Sequence, residues 1–175
     1  MTLHIFSYGS NLLLARLKAR VPSARFIGKA ALPGHVLRWH KPGSDGSGKC
    51  DAFHTNDPAD QLWGGIFEID TAHKYLLDAA EGLGIGYDEK TEDIECVPTS
   101  RTPFVVRASL YTAMKMDTAA IPYSWYKAFV VAGAHECGLP SDHIENLQSI
   151  HCAEDADTQR NTQNRALLPD QFKQM

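Results

Sequence analysis

The sequence has no apolar run near the ~20 residues that a membrane-spanning helix needs. Its first apolar stretch, Thr2 to Ser7, is short and has no basic leader, so no signal peptide is expected and the protein is placed in the cytoplasm. An excess of positive charge is missing too. The formal net charge is −4, which leaves no electrostatic footprint for nucleic acid. No run of like charges is long enough to form a tail. The four cysteines, Cys50, Cys96, Cys137 and Cys152, contain no C-x-x-C pair. Scattered thiols in a cytosolic chain are expected to be free and mostly buried. The eight histidines form no H-x-x-x-H or H-E-x-x-H pattern, and Glu136 between His135 and Cys137 completes none, so no metal site is expected.

What is present is an ordinary globular balance, 43% hydrophobic and 22% charged. The 175 residues suit one domain, without repeat or linker, large enough to remove roughly 70% of its unfolded surface from water. Leu3, Ile5 and Phe6 predict an opening strand, broken by the turn-forming Tyr8-Gly9-Ser10-Asn11. Leu12 to Arg20 predicts a helix with Leu13 and Leu17 on one face and Arg16 and Arg20 on another, stopped by Pro22. Strands are expected over Ala24–Ala31, His35–His40, Cys50–Thr55 and Leu62–Ile69. In the last of these, Gly64-Gly65 signals a bulge or a close approach to the backbone. Asp70-Thr71 caps a helix to about Ala80 with Tyr75, Leu76 and Ala79 facing inward; Glu81 ends it and Gly82 terminates it. Tyr87–Val97 and Phe104–Thr112 predict long strands. Helices follow from Pro122 to about Cys137 and from Ser141 to about Ile150. Residues 152–175 are a polar C-terminal extension with no assigned element. Mostly strands, with helices after the first, in the middle and at the end, is not a doubly wound alternation. It predicts an α+β fold with a curved, barrel-like sheet.

Four features carry candidate chemistry. Gly43 to Lys49 satisfies G-x-x-x-x-G-K, but Cys50 stands where a magnesium-binding Ser or Thr belongs, and an extended segment follows instead of a helix. A Gly/Ser hairpin loop is the simpler expectation, with nucleotide binding as its rival. Tyr8-Gly9-Ser10-Asn11-Leu12 is at least a strand-to-helix turn. Exposed amides at a helix start, with a glycine allowing close approach, also suit a carboxylate or a carbonyl oxygen. Glu81 is either a solvated helix-end residue or something more useful. The partial negative charge of a helix C-terminus favours proton uptake, which suits a general base near neutrality. Tyr87, Tyr111, Tyr123 and Tyr126 are core or rim aromatics by default; their hydroxyls could orient a polar ligand, and Tyr123 and Tyr126 share a helix face.

In this order, these pieces resemble the γ-glutamylcyclotransferase family. Tyr8-Gly9-Ser10-Asn11-Leu12 is similar to the family's N-terminal Y-G-S-N-L loop, and Leu77-Asp78-Ala79-Ala80-Glu81-Gly82 with Gly86-Tyr87 to the segment around its catalytic glutamate. Ser124-Trp125-Tyr126-Lys127, with Gly133-Ala134 and Gly138-Leu139-Pro140, is similar to its late helix and G-L-P turn. The resemblance implies a small mixed β-barrel flanked by helices. It also implies cleavage of a γ-glutamyl amide without water, the substrate's α-amine attacking its own γ-carbonyl to give 5-oxoproline and a free amino acid or amine. It makes Glu81 the general base and acid. Tyr8, Gly9, Ser10, Asn11 and Leu12 become the glutamyl cradle, with Tyr87, Tyr111 and Tyr126 as orienting hydroxyls. The partner is then a small γ-glutamyl molecule, with no cofactor or metal, and the chain a monomer or homodimer. Asn11 leans towards γ-glutamyl amino acids or amines, because the family's glutathione-specific branch tends to read Y-G-S-L. The alternatives are the same reaction on γ-glutamylamines or glutathione, and a non-catalytic binding module with the same fold.

Overall fold

The computed structural model describes residues 1–175. Its elements are β1 (Thr2–Ser7), a 3₁₀ turn (Ser10–Leu12), α1 (Leu14–Arg20), β2 (Arg25–Pro33), β3 (His35–Pro42), β4 (Gly48–His54), β5 (Gln61–Asp70), a 3₁₀ turn (Thr71–His73) and α2 (Lys74–Glu81). There follow β6 (Tyr87–Val97), β7 (Phe104–Ala113), α3 (Ser124–Glu136), α4 (Ser141–Ser149), α5 (Thr158–Arg165) and a final 3₁₀ turn (Asp170–Phe172). No helix is long and apolar enough to cross a membrane.

Five strands close a barrel in the order β1-β5-β2-β6-β7, and β3 with β4 form a separate two-stranded sheet. The expected α+β class with a small mixed barrel is therefore the observed one. Closure is made by the parallel pair β1–β7, where His4 faces Ala108 and Ile5 faces Ser109; the other ladders are antiparallel. β7 shows the period of two that a one-sided strand requires, with Val106, Ala108 and Leu110 buried and Val105 and Arg107 exposed. The glycine pair in β5 marks close approach rather than a bulge. A Cβ on Gly64 would come within 2.5 Å of the Ser7 carbonyl oxygen, while the irregular register lies in β2, between Phe26 and Gly28.

α3 is buried along nearly its whole length, from Ser124 to Ala134, as a helix that is apolar on most sides must be. It packs on the turn after β1, and a Cβ on Gly133 would lie 2.4 Å from Leu12 Cβ. α2 corrects the predicted inward stripe. Tyr75 and Ala79 are exposed, Leu76 packs against the core partly buried, and Leu77 is the fully buried residue. The inward face runs Lys74, Leu77, Asp78, Glu81, one position out of phase with the apolar reading, because that face borders a polar site. Lys74 bonds both Asp78 and Glu89, the latter at 3.0 Å.

The C-terminal extension also has an element that its composition did not reveal. α5 has no buried residue of its own, so no apolar stripe could announce it. Polar contacts hold it instead. Asp155 accepts from Trp125 Nε1 at 2.9 Å and from Arg160 Nε at 2.6 Å, and Asp157 caps the helix through the Arg160 amide. Arg165 donates to Ser124 Oγ at 2.6 Å. The Arg160 bonds, joined by the Trp125 and Asp157 N–H groups, hold the Asp155 carboxyl down to about 2. A depressed carboxylate stabilises the fold above its ordinary titration range and loses that contribution as pH falls through the folded value. Asp155→Asn is therefore expected to lower the urea midpoint at pH 7 and to narrow the difference from wild type between pH 4 and pH 2. An equal deficit at both pH values would contradict the ion-pair anchor.

Candidate active site

The turn after β1 delivers its side chains under the N-terminal end of α3, and α2 brings Glu81 to the same place. Tyr8, Gly9, Ser10, Asn11, Glu81, Tyr87, Tyr111 and Tyr126 line one cavity with Ile5, Phe6, Ser7 and Cys50. It offers about 370 Å³ of atom-free space, mouth included. Of the residues singled out in the sequence, Leu12 and Tyr123 lie elsewhere. Leu12 is fully buried in the core beside Gly133. Tyr123 precedes α3 and donates its hydroxyl to the Asp45 carbonyl at 3.1 Å.

Gly9 has φ −111°, so its glycine is required by space and not by a left-handed backbone. A Cβ there would stand 3.0 Å from Cys50 Cβ and 3.4 Å from the Tyr126 hydroxyl. The N–H groups of Tyr8 and Gly9 have no acceptor within the protein. Two neighbouring free amides on a cavity wall are a ready cradle for an anionic or carbonyl oxygen.

Glu81 ends α2, and Gly82 follows in the left-handed conformation at φ 66°. Its Oε1 accepts from Asn11 Nδ2 at 2.8 Å and from Arg20 at 2.9 Å, while Oε2 bonds to no protein group. The side chain is 14% exposed. The helix-end reading of the sequence did not include Arg20, which pairs directly with the Glu81 carboxylate. Asn11 is oriented in turn, since its Oδ1 accepts from the same Arg20 nitrogen at 2.9 Å. One oxygen of Glu81 is thus fixed and the other is available.

The tyrosine hydroxyls are engaged in different ways. Tyr8 donates to the Tyr111 carbonyl, Tyr87 to the Cys50 carbonyl at 2.8 Å, and Tyr111 to Asp78 at 2.6 Å. Tyr126 instead accepts from the Cys50 N–H at 3.1 Å. Burial raises all four above the usual tyrosine range, so they are neutral hydroxyls near pH 7. Burial also pushes the Cys50 thiol up to about 12. A thiol of that kind is not a nucleophile at neutral pH, and Glu81 is the one carboxylate among the residues that line the wall.

Sequence reasoning missed Arg20, Asp78 and Cys50. Arg20 carried a faint signal, lying four residues from Arg16 on the polar face of α1. Asp78 had one in retrospect, three residues before Glu81 on the same helix face. Cys50 had none, because it arrives from β4 through the tertiary fold. The segment Gly43 to Lys49 is the β3–β4 turn with Gly46 at φ 82°, as the hairpin expectation had it.

Comparison with known proteins adds three likenesses. A model of the AIG2-like family matches residues 61–147. Proteins called gamma-glutamylcyclotransferase from Mus musculus and Homo sapiens are each 30% identical to the chain over 156 residues, with 83% of this chain and 77% of the relative covered. A solved structure called gamma-glutamyl cyclotransferase superposes with a TM-score of 0.76 at 23% identity, covering 99% of this chain and 97% of that one, and speaks for the fold.

Proposed function

The chain belongs to the γ-glutamylcyclotransferase family, and we propose that it converts a γ-glutamyl amide into 5-oxoproline and a free amino acid or amine, with Glu81 as general base and then general acid. The observation that carries this reading is the pairing, in one cavity, of a carboxylate with a free Oε2 and a wall carrying the unbonded Tyr8 and Gly9 amides.

The chemistry follows from those groups. The substrate's α-amine is mostly protonated at neutral pH, given a typical pKa near 8. Glu81 Oε2 takes a proton from it. The freed nitrogen attacks the γ-carbonyl carbon, forming the C–N bond of the lactam while the carbonyl π pair moves onto oxygen. When that pair returns, the original amide C–N bond breaks; Glu81 returns the first proton to the departing nitrogen and then relays the second from the ring nitrogen, leaving a lactam N–H and a protonated free amine. No water is consumed, and atoms and charge balance. Proton transfer of this kind supplies about 10²–10⁴-fold. Holding the flexible glutamyl chain in its ring-closing shape can supply roughly 7–11 kcal/mol more. The Tyr8 and Gly9 amides would serve the oxyanion or the α-carboxylate, and the neutral tyrosine hydroxyls would fix the rim around them.

The test is a panel of γ-glutamyl amino acids, γ-glutamylamines and glutathione, assayed for 5-oxoproline. Release from at least one is expected. Failure with every member, at protein concentrations where one of them binds, would favour a binding module with the same fold.

A further inference from the structure

Beside the cavity, and sharing Ser10, Glu81, Tyr87 and Tyr126 with it, lies a second hollow of about 650 Å³ with its mouth included. Arg16, Arg20, Lys41 and Lys49 line it against only Asp45 and Glu81. Two of the cations are neutralised: Arg20 pairs with Glu81 at 2.9 Å, and Lys49 with Asp45 at 2.7 Å. Arg16 and Lys41 belong to none of the protein's ion pairs. The hollow therefore carries two uncompensated positive charges in a protein whose overall charge is negative.

Aromatic rings hold those charges in place without neutralising them. Lys41 Nζ lies 4.8 Å from the Tyr87 ring centre, and the Arg16 guanidinium 4.2 Å from that of Phe129. Arg16 Nε is buried with no hydrogen-bond partner. Burial pulls Lys41 below the usual lysine range and Arg16 down to about 10. An anion entering the hollow would offset that desolvation.

We infer that this hollow receives the leaving half of the substrate, and that the preferred substrates are γ-glutamyl amides whose released amine carries two negative charges, as a dicarboxylic amino acid does. The inference rests on the cyclotransferase reading, because the hollow opens beside Glu81, where the scissile amide would lie. A monocarboxylic amino acid satisfies one of the free cations, and an alkylamine neither. A dicarboxylic amino acid brings one carboxylate for each of the two cations.

The experiment compares kcat/KM for 5-oxoproline release from γ-glutamyl-aspartate, γ-glutamyl-glutamate, γ-glutamyl-alanine and a γ-glutamyl-alkylamine, in wild type and in Lys41→Gln. Wild type is expected to favour the diacids over the alkylamine by at least about tenfold, and Lys41→Gln to reduce that ratio about tenfold, the scale of one partly desolvated charge contact. Equal wild-type values across the series, or an unchanged ratio in Lys41→Gln, would overturn the inference. A calorimetric arm separates it from the reaction itself. With Glu81→Gln protein and γ-glutamyl-aspartate as the ligand, weaker binding on adding Lys41→Gln supports the hollow even if no 5-oxoproline forms. Equal binding with and without Lys41 overturns it whatever the turnover.

Discussion

Glu81→Gln is expected to lower 5-oxoproline release by about 10²–10⁴-fold, the range of a removed general acid–base group, while leaving the fold in place. The two halves of that expectation come from the two oxygens of one side chain. Oε1 is the structural one, receiving Asn11 and Arg20. A glutamine carbonyl oxygen in that position still accepts both bonds, so the turn after β1 and the end of α2 stay joined. Oε2 is the chemical one, and an amide nitrogen there cannot take a proton from the substrate amine. Binding of an unreacted γ-glutamyl amide should survive, since the Tyr8 and Gly9 amides are untouched. Circular dichroism, calorimetric binding and the 5-oxoproline assay together decide the matter. Turnover within a fewfold of wild type would remove Glu81 from the mechanism, and loss of binding together with turnover would make it a structural residue.

Gly133→Ala is expected to destabilise the protein and damage the reaction further still. In an ordinary helix the change would help, because alanine is favoured over glycine by about 1 kcal/mol. Here the added Cβ would meet Leu12 Cβ and Leu13 N at 2.4 Å and Leu12 C at 2.5 Å. Two of those atoms are backbone and cannot rotate away. Overpacking of a close contact costs typically 1–3 kcal/mol, so the clash outweighs the propensity and a net loss of about 1–2 kcal/mol is expected in urea denaturation. The structure relieves the clash by moving the turn that carries Ser10 and Asn11. A displacement near 1 Å can cost about 10²-fold in rate. The fall in kcat/KM, measured where the variant is fully folded, should therefore exceed what stability alone explains. A more stable Gly133→Ala protein would show that helix propensity wins and that the contact between α3 and the turn is looser than described.

These two positions also mark how far the sequence could be read. Strands and helices were legible wherever one face met the core and the other met water, as along β7. The barrel itself was legible only as a tendency, since β1 meets β7 through a pairing that joins the two ends of the strand series. The cavity could be read as a list of residues: the turn after β1, Glu81 and three tyrosines are where the motif order put them. Their partners could not be read. Arg20 sits on Glu81 because α1 and α2 run close together, and periodicity places each helix without saying which will touch. The inward stripe of α2 was misplaced at Tyr75 and Ala79 for a related reason. A helix face that borders a polar site is inward and charged at once, and hydrophobic periodicity has no sign for that. Leu12 was misassigned because a motif is contiguous in sequence while its turn sends alternate residues to different places, Asn11 to the cavity and Leu12 to the core.

The separate β3–β4 sheet has one more consequence. It shares no ladder with the barrel, yet it supplies Cys50 to the cavity wall and Lys41 and Lys49 to the hollow. Cys50 is held by Tyr87 on its carbonyl and by Tyr126 on its amide, while Asp51 beside it takes the Ala113 N–H at 2.7 Å. The tyrosines are then spacers as much as ligands, each hydroxyl setting how far the hairpin stands from the barrel mouth. The width of the cavity is gauged by the length of two phenol rings, and the hairpin is braced against the barrel at that distance.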